Sequence, residues 1–294
     1  MTSPRQLLRT KVASGSTVWF AGAQDALSAL LVDQSDFDGI FTTGFGISAS
    51  LLGQPDMELY TLTENVRVVD HIANVVRKPI FADADTGYGN VLNVVRTVRA
   101  FEKAGAAALQ IEDQFSPKRC PAAATLSITI PVAEAVGKIR AAVDARTDPD
   151  LLIVARTDVM DANEAIDRAA RFAEAGADLI QPISRTFNSY EDLVRLREAC
   201  GRPLSLMLME GTWMAQLNRK QIESVAAFAS YPLVTLMSTV HAVQANLAAL
   251  AGRCGEPMGD LPCGRTEMPT FKQLIGWQAL EQRQALYEVD TPRA

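Results

Sequence analysis

The chain has 294 residues, 48% hydrophobic and 21% charged, a balance far from the low-hydrophobicity, high-charge signature of disorder. Its net charge of −6 and its scattered lysines and arginines leave no broad basic surface to neutralise phosphates, so nucleic acid is not an expected partner. The polar start Met1-Thr2-Ser3-Pro4-Arg5-Gln6 carries no apolar leader and the longest apolar runs are strand-sized, so the expectation is a cytoplasmic protein with no membrane partner.

Short β-rich apolar runs alternate with helical patterns of roughly a dozen residues, the signal for βαβ units and a parallel sheet. In chain order the runs are Val18-Ala21, Gly39-Thr43, Pro79-Asp83, Ala107-Glu112, Leu151-Arg156, Asp178-Pro182, Pro203-Leu208 and Leu233-Met237. Eight of them predict a closed α/β barrel, the (β/α)8 or TIM barrel, which occupies about 250 residues. One catalytic domain over 1–252 and a C-terminal helical extension over 253–294 then account for the length. An internal echo supports the repeat: Phe101-Glu-Lys-Ala-Gly-Ala and Phe172-Ala-Glu-Ala-Gly-Ala each precede a strand, with Gly105 and Gly176 placed to close a helix in the left-handed conformation. Phe271 to Tyr287 reads as one amphipathic helix.

Cys120, Cys200, Cys254 and Cys263 lack metal-site spacing, and only His71 and His241 could offer imidazole. A metal site must therefore be built from carboxylates, which favours a hard cation, magnesium or manganese. In barrels of this kind the reactive groups sit at the C-terminal strand ends, and here those ends are acidic. The third run closes in Asp83-Ala-Asp85-Thr-Gly87-Tyr-Gly89, the fourth in Glu112-Asp113-Gln114 and the fifth in Arg156-Thr157-Asp158. Asp83 and Asp85, two apart on an extended strand, project the same way, and Glu112 on the next strand can meet them. Three carboxylates in one pocket repel unless a cation joins them, in part through water; a single such acid could equally cap a helix. Thr43-Gly44-Phe45-Gly46 offers backbone N–H groups to a substrate carboxylate, or is a plain turn. Arg156, in the otherwise apolar Leu-Leu-Ile-Val-Ala run, needs acidic partners or an anionic ligand.

With Asp83-Ala-Asp-Thr-Gly-Tyr-Gly89 joined to Ile111-Glu-Asp-Gln114, Lys118-Arg-Cys120 and Ala155-Arg-Thr-Asp158, the chain resembles the isocitrate lyase and phosphoenolpyruvate mutase superfamily from about residue 18 to 250. The resemblance implies a magnesium enzyme acting on a small 2-oxo or 2-hydroxy carboxylate, with a bond made or broken beside a developing enolate. It assigns Asp83, Asp85 and Glu112 to the metal, Thr43, Gly44, Phe45 and Arg156 to the substrate carboxylate, and catalytic roles to Asp56, Lys118, Cys120 and Arg156. Lys118-Arg119-Cys120 is similar to the gating-loop signature of the carbon–carbon lyases, whose cysteine returns a proton to the departing carbanion. The resemblance also implies a homotetramer, a dimer of dimers that swap C-terminal helices.

Departures from the lyase pattern narrow the substrate. Pro121-Ala-Ala-Ala124 follows Cys120 where lyases continue Gly-His, and Gln181-Pro182-Ile183 and Leu206-Met207-Leu208-Met209 stand where they carry a glutamate and an asparagine. The metal half is intact and the second half is more apolar. The leading expectation is a lyase cleaving a substituted 2-hydroxy dicarboxylate, of methylisocitrate or alkylmalate type, to a 2-oxo acid and a carboxylate. The alternatives are an oxaloacetate decarboxylase, a phosphonomutase or hydrolase, and a catalytically silent binding barrel.

Overall fold

The computed structural model describes residues 2–119 and 128–287. Eight strands, β1 (Val18–Ala23), β2 (Gly39–Thr42), β3 (Ile80–Asp83), β4 (Ala108–Glu112), β5 (Leu152–Arg156), β6 (Leu179–Gln181), β7 (Leu204–Met207) and β8 (Ala226–Tyr231), pair in parallel and in sequence order. Pairing of β1 with β8, Val18 opposite Phe228, closes the barrel. The first helices are α1 (Pro4–Ala13), α2 (Ala26–Asp33), α3 (Gly44–Leu52), α4 (Leu62–Ala73), α5 (Val91–Lys103) and α6 (Val132–Ala145). They are followed by α7 (Ala162–Glu174), α8 (Tyr190–Cys200), α9 (Arg219–Val225), α10 (Val234–Ala251), α11 (Met268–Leu274) and α12 (Trp277–Ala285).

Alternation along the strands builds the barrel interior in layers. Phe20, Phe41, Phe81 and Phe228 meet inside the barrel with ring centroids 4.8 to 5.6 Å apart, beside Ala108, Val154 and Leu179. Gly39 makes room for this layer, since a Cβ there would lie 2.5 Å from the Phe20 ring. Two residues further along the same strands, Asp83, Gln110, Arg156 and Gln181 stand above the aromatic floor and line a cavity. The opposite faces pack apolar side chains such as Ile40, Val98, Ile153 and Phe172 between sheet and helices. Gly105 and Gly176 adopt φ +100° and +99° just after α5 and α7, as their sequence context requires.

Gly22 in β1 meets the backbone of Pro232, where a Cβ would sit 1.8 Å from the carbonyl oxygen. Neither chain can yield as a side chain would, so Gly22→Ala is expected to destabilise the barrel by about 3 kcal/mol, read as a shifted chemical-denaturation midpoint. Cys200 is buried at the end of α8, and burial pushes its thiol up. Thiolate is the reactive form, so alkylation at pH 8 should run at least about tenfold slower at Cys200 than at exposed Cys254 and Cys263, and accelerate as pH rises. Peptide mapping by mass spectrometry reads the three sites separately.

Two expected elements differ from the structure. Leu233-Met237 is not the eighth strand: it forms a turn and the start of α10, and β8 is the small-residue run Ala226-Ala-Phe-Ala-Ser-Tyr231. Apolar branched residues mimic a strand there, whereas Pro232 ends the ladder and hands the run to a helix. The single helix over Phe271 to Tyr287 is two, α11 and α12, divided at Gly276 with φ +71°. The chain divides into two compact units, Met1–Leu236 and Met237–Ala294, with the cut inside α10. α10 is long and apolar enough by length and composition to cross a membrane, although Thr239, His241, Gln244 and Asn246 interrupt it. Within the second unit Lys272 sits 4.9 Å over the Trp277 ring.

Candidate active site

Asp83 is the last residue of β3, and burial, opposed by Lys118 and Arg156 and reinforced by Asp85, pushes its carboxyl up to about 6. Its oxygens accept hydrogen bonds from the Gly44 amide at 3.3 Å, the Asp85 amide at 3.1 Å and Gln110 Nε2 at 3.3 Å. No cation is paired with it among the described residues. Asp85 does not continue the strand as its spacing predicts. It takes a left-handed φ of +50° beyond the end of β3, a conformation an L residue keeps only when its surroundings hold it there. Those surroundings are the hydroxyls of Tyr60 and Tyr88, which donate to Oδ2 at 2.8 and 2.6 Å, and Lys118 Nζ, 2.8 Å from Oδ1. Burial and the acids around them raise both phenols well above the usual tyrosine value, so they stay protonated donors.

Lys118 bridges Asp85 and Asp56, the latter at 3.0 Å, and all three groups are buried. Burial disfavours the ammonium, but Asp85, Glu112, Asp83 and Asp56 more than offset this and hold it well above the ordinary lysine value. Burial raises Asp56 despite Lys118, and leaves its Oδ1 with no donor. Glu112 ends β4 directly opposite Arg156 of β5, and the two meet at 2.9 Å. Arg156 also reaches Asp158 at 2.6 Å, and Gln114 Nε2 donates to Glu112 at 3.0 Å. Burial raises the Glu112 carboxyl well above its usual range although Arg156 pulls it down.

Thr43, Gly44 and Phe45 begin α3 against this cluster. A Cβ at Gly44 would lie 2.6 Å from the Tyr60 hydroxyl and 3.0 Å from Asp85 Oδ1, so only glycine lets the chain approach so closely. The helix-capping reading of the acids fails for Asp83 and Asp85, because Asn90 caps the following helix α5. Cys120 lies outside the described residues. Of the other predicted residues, Thr43, Phe45, Asp56, Asp83, Lys118 and Arg156 line a cavity of about 70 Å³ at one end of the barrel, while Gly44, Asp85 and Glu112 do not line it and join the cluster through Tyr60 and Asp85, through Lys118, and through Arg156. The cavity's polar side carries Asp56, Asp83, Gln110, Lys118 and Arg156, and its far side Met207, Met209, Pro232 and Leu233.

Several contributors were not read from the sequence. Gln110, two before Glu112 in β4, is legible afterwards from strand alternation. Tyr60 gave no local signal, and the local signal at Arg168, its i,i+4 pairing with Glu164, does not point to the site. Arg168 of α7, buried, donates to Asp113 Oδ2 at 3.1 Å, while Asp113 accepts from Thr157 Oγ1 at 2.7 Å and the Asp158 amide at 2.9 Å. This network fixes the ends of β4 and β5 that carry Glu112 and Arg156.

The residues fit a hydrated divalent cation. Asp56, Asp83, Asp85, Glu112 and Asp158 are five carboxylates against two cations, Lys118 and Arg156. Asp56 Oδ1 and Gln110 Oε1 are buried acceptors without a donor, on two residues that line the same cavity, and such acceptors suit the waters of an ion. Among the described residues no three His, Cys, Asp or Glu side chains form a direct ligand cluster.

A profile of the family described as phosphoenolpyruvate phosphomutase matches residues 8–249. The chain is 41% identical over 224 residues to 2,3-dimethylmalate lyase of Eubacterium barkeri, covering 75% of each protein. It is 40% identical over 205 residues to oxaloacetate decarboxylase of Pseudomonas fluorescens, covering 69% of this chain and 70% of that one. Among solved structures, a phosphonopyruvate hydrolase in complex with oxalate and magnesium superposes with a TM-score of 0.86 at 28% identity, over 97% of this chain and 99% of the other. The closed eight-stranded barrel, the acidic strand ends and these matches together show that the chain belongs to the phosphoenolpyruvate mutase and isocitrate lyase superfamily.

Proposed function

We propose that this protein is a magnesium-dependent carbon–carbon lyase that cleaves an alkyl-substituted 2-hydroxy dicarboxylate to a 2-oxo acid and a second carboxylate. The observation that carries the reading is the two-sided cavity: unpaired Asp83 and the Arg156 guanidinium on one wall, and Met207, Met209, Pro232 and Leu233 on the other. The polar wall suits a 2-hydroxy carboxylate. The apolar wall suits alkyl substituents and offers no cation of its own to a distant charge.

Asp83 would hold the ion directly, with Asp56, Asp85, Glu112 and Gln110 reaching it through water; manganese suits the same oxygen set. Bound there, the ion supplies Lewis-acid stabilisation of negative charge on the C2 oxygen. Arg156 and the Phe45 amide orient the C1 carboxylate, with Gly44 allowing the close approach. Asp56, which lines the cavity and has an Oδ1 free of any donor, takes the C2 hydroxyl proton while Lys118 holds the acid in place. The C2–C3 bond then breaks, its electron pair passes to C3 as the enolate of the leaving carboxylate, and C2 becomes the carbonyl of the 2-oxo acid. The Cys120 thiol returns a proton to C3.

The protein is further read as cytoplasmic and as a homo-oligomer, the oligomer being supported by the exposed apolar residues Met237, Val240, Val243 and Leu247 along α10.

The test is 2-oxo acid release from 2,3-dimethylmalate, other alkylmalates, methylisocitrate and oxaloacetate, each with and without magnesium. The lyase reading expects release from an alkylated hydroxy acid, lost on chelation and in Cys120→Ala. Release confined to oxaloacetate and untouched by Cys120→Ala overturns it in favour of a decarboxylase, a second reading motivated by the 40% identity to that relative. A barrel that neither turns over nor binds oxalate with magnesium in calorimetry is a silent binding protein.

A further inference from the structure

Glu58 shares a left-handed backbone with Asp85 and Tyr88 among the described non-glycine residues. It sits at φ +56°, in the left-handed region that disfavours any residue with a Cβ, on the loop between α3 and α4. Its carboxylate accounts for the conformation by accepting three hydrogen bonds from two other loops. Thr86 Oγ1, next to Asp85, donates to Oε1 at 2.6 Å. Ser116 Oγ and the Lys118 amide donate to Oε2 at 2.7 and 2.8 Å.

The pairing with Lys118 is doubled. Asp56 takes the Lys118 ammonium and Glu58, two residues on, takes the Lys118 backbone amide, so one short loop grips the lysine at both ends. The third bond, to Thr86, links that grip to the turn carrying Asp85, the other partner of the ammonium. None of these groups is joined by regular secondary structure, and the amide of Lys118 has no strand or helix partner to hold it.

We propose that Glu58 is a positioning residue: its carboxylate latches the loops after β3 and β4 to the loop before α4, and so sets the Lys118 ammonium between Asp56 and Asp85. The assignment rests on the lyase reading of the same site. Glu58 touches neither substrate nor ion in it and acts through Lys118.

Glu58→Gly and Glu58→Gln test the latch. Glycine relieves the left-handed backbone, so the variant keeps its fold while losing all three hydrogen bonds. Glutamine keeps the size but turns half of its head into a donor facing donors. In hydrogen exchange followed by mass spectrometry, peptides spanning residues 113–119 should exchange at least about tenfold faster in Glu58→Gly, with distant helices such as α8 unchanged. The turnover of the favoured substrate should fall on the order of tenfold to a hundredfold in both variants. Oxalate should still bind with magnesium at unchanged stoichiometry, showing an intact population. In the Lys118→Met background, Glu58→Gly should cost nothing further, because the lysine it positions is gone.

Unchanged exchange at 113–119 overturns the latch. So do effects of Glu58→Gly and Lys118→Met that multiply in the double variant. If the wild type neither turns over an alkylmalate nor binds oxalate with magnesium, the lyase reading fails instead, and the exchange result alone decides whether Glu58 holds Lys118.

Discussion

Arg156→Met is expected to abolish substrate binding and to destabilise the barrel by about 3–5 kcal/mol, the loss typical when one member of a buried ion pair is removed. The guanidinium lies 2.9 Å from Glu112 and 2.6 Å from Asp158, in a place where burial already disfavours both charges. Methionine approximates the volume, so the cost is that of two carboxylates left facing each other, and Glu112 takes up a proton to relieve it. Arg156→Lys separates the two effects. An ammonium restores a charge but lacks the flat fork that spans two acids while presenting N–H groups to a third. Most of the thermal stability should return in Arg156→Lys, while KM stays raised by about a hundredfold, consistent with loss of a bidentate contact of about 2–3 kcal/mol. Thermal melts and oxalate calorimetry on the two variants check the split. An Arg156→Met protein that binds oxalate normally removes Arg156 from the substrate site.

Some of this site was legible in the sequence because strand alternation is local. Asp83, Gln110 and Arg156 occupy interior positions two residues above Phe81, Ala108 and Val154, Glu112 follows two beyond Gln110 and opposite Arg156, and period two suffices to stack them. Asp85 was expected from the same rule and joins the cluster by a different one, a left-handed turn that period two does not describe. The eighth strand was misplaced because Ala226-Ala-Phe-Ala-Ser reads as helix by composition, and only the closure of β7 and β1 around it selects the strand. Tyr60, Glu58 and Arg168 were out of reach for a plainer reason. The partners that tie them to the site, Asp85, Lys118 and Asp113, lie 25 to 60 residues away in the chain, and nothing in the spacing of a tyrosine or a glutamate in a loop announces such a bond.

Lys118→Met should move stability and metal affinity in opposite directions, an outcome that follows from the charge count at the site. With the ammonium in place five carboxylates face two cations; without it they face one, Arg156. The apo protein loses the partner of both Asp56 and Asp85, each buried, and should be destabilised by about 3–5 kcal/mol. The same excess of negative charge makes a divalent cation more welcome, so magnesium should bind about tenfold more tightly and restore part of the melting temperature, since a ligand bound only to the folded state stabilises it by mass action. Turnover should nevertheless fall by about a hundredfold or more, because Asp56 loses the group that holds its proton-accepting oxygen toward the cavity. Calorimetric titration with magnesium, thermal melts with and without the ion, and the turnover assay test the three signs separately. Weaker magnesium binding in Lys118→Met would mean that the lysine organises the acids for the ion instead of competing with it, and the direct role would then have to pass from Asp83 to the carboxylates that Lys118 now occupies.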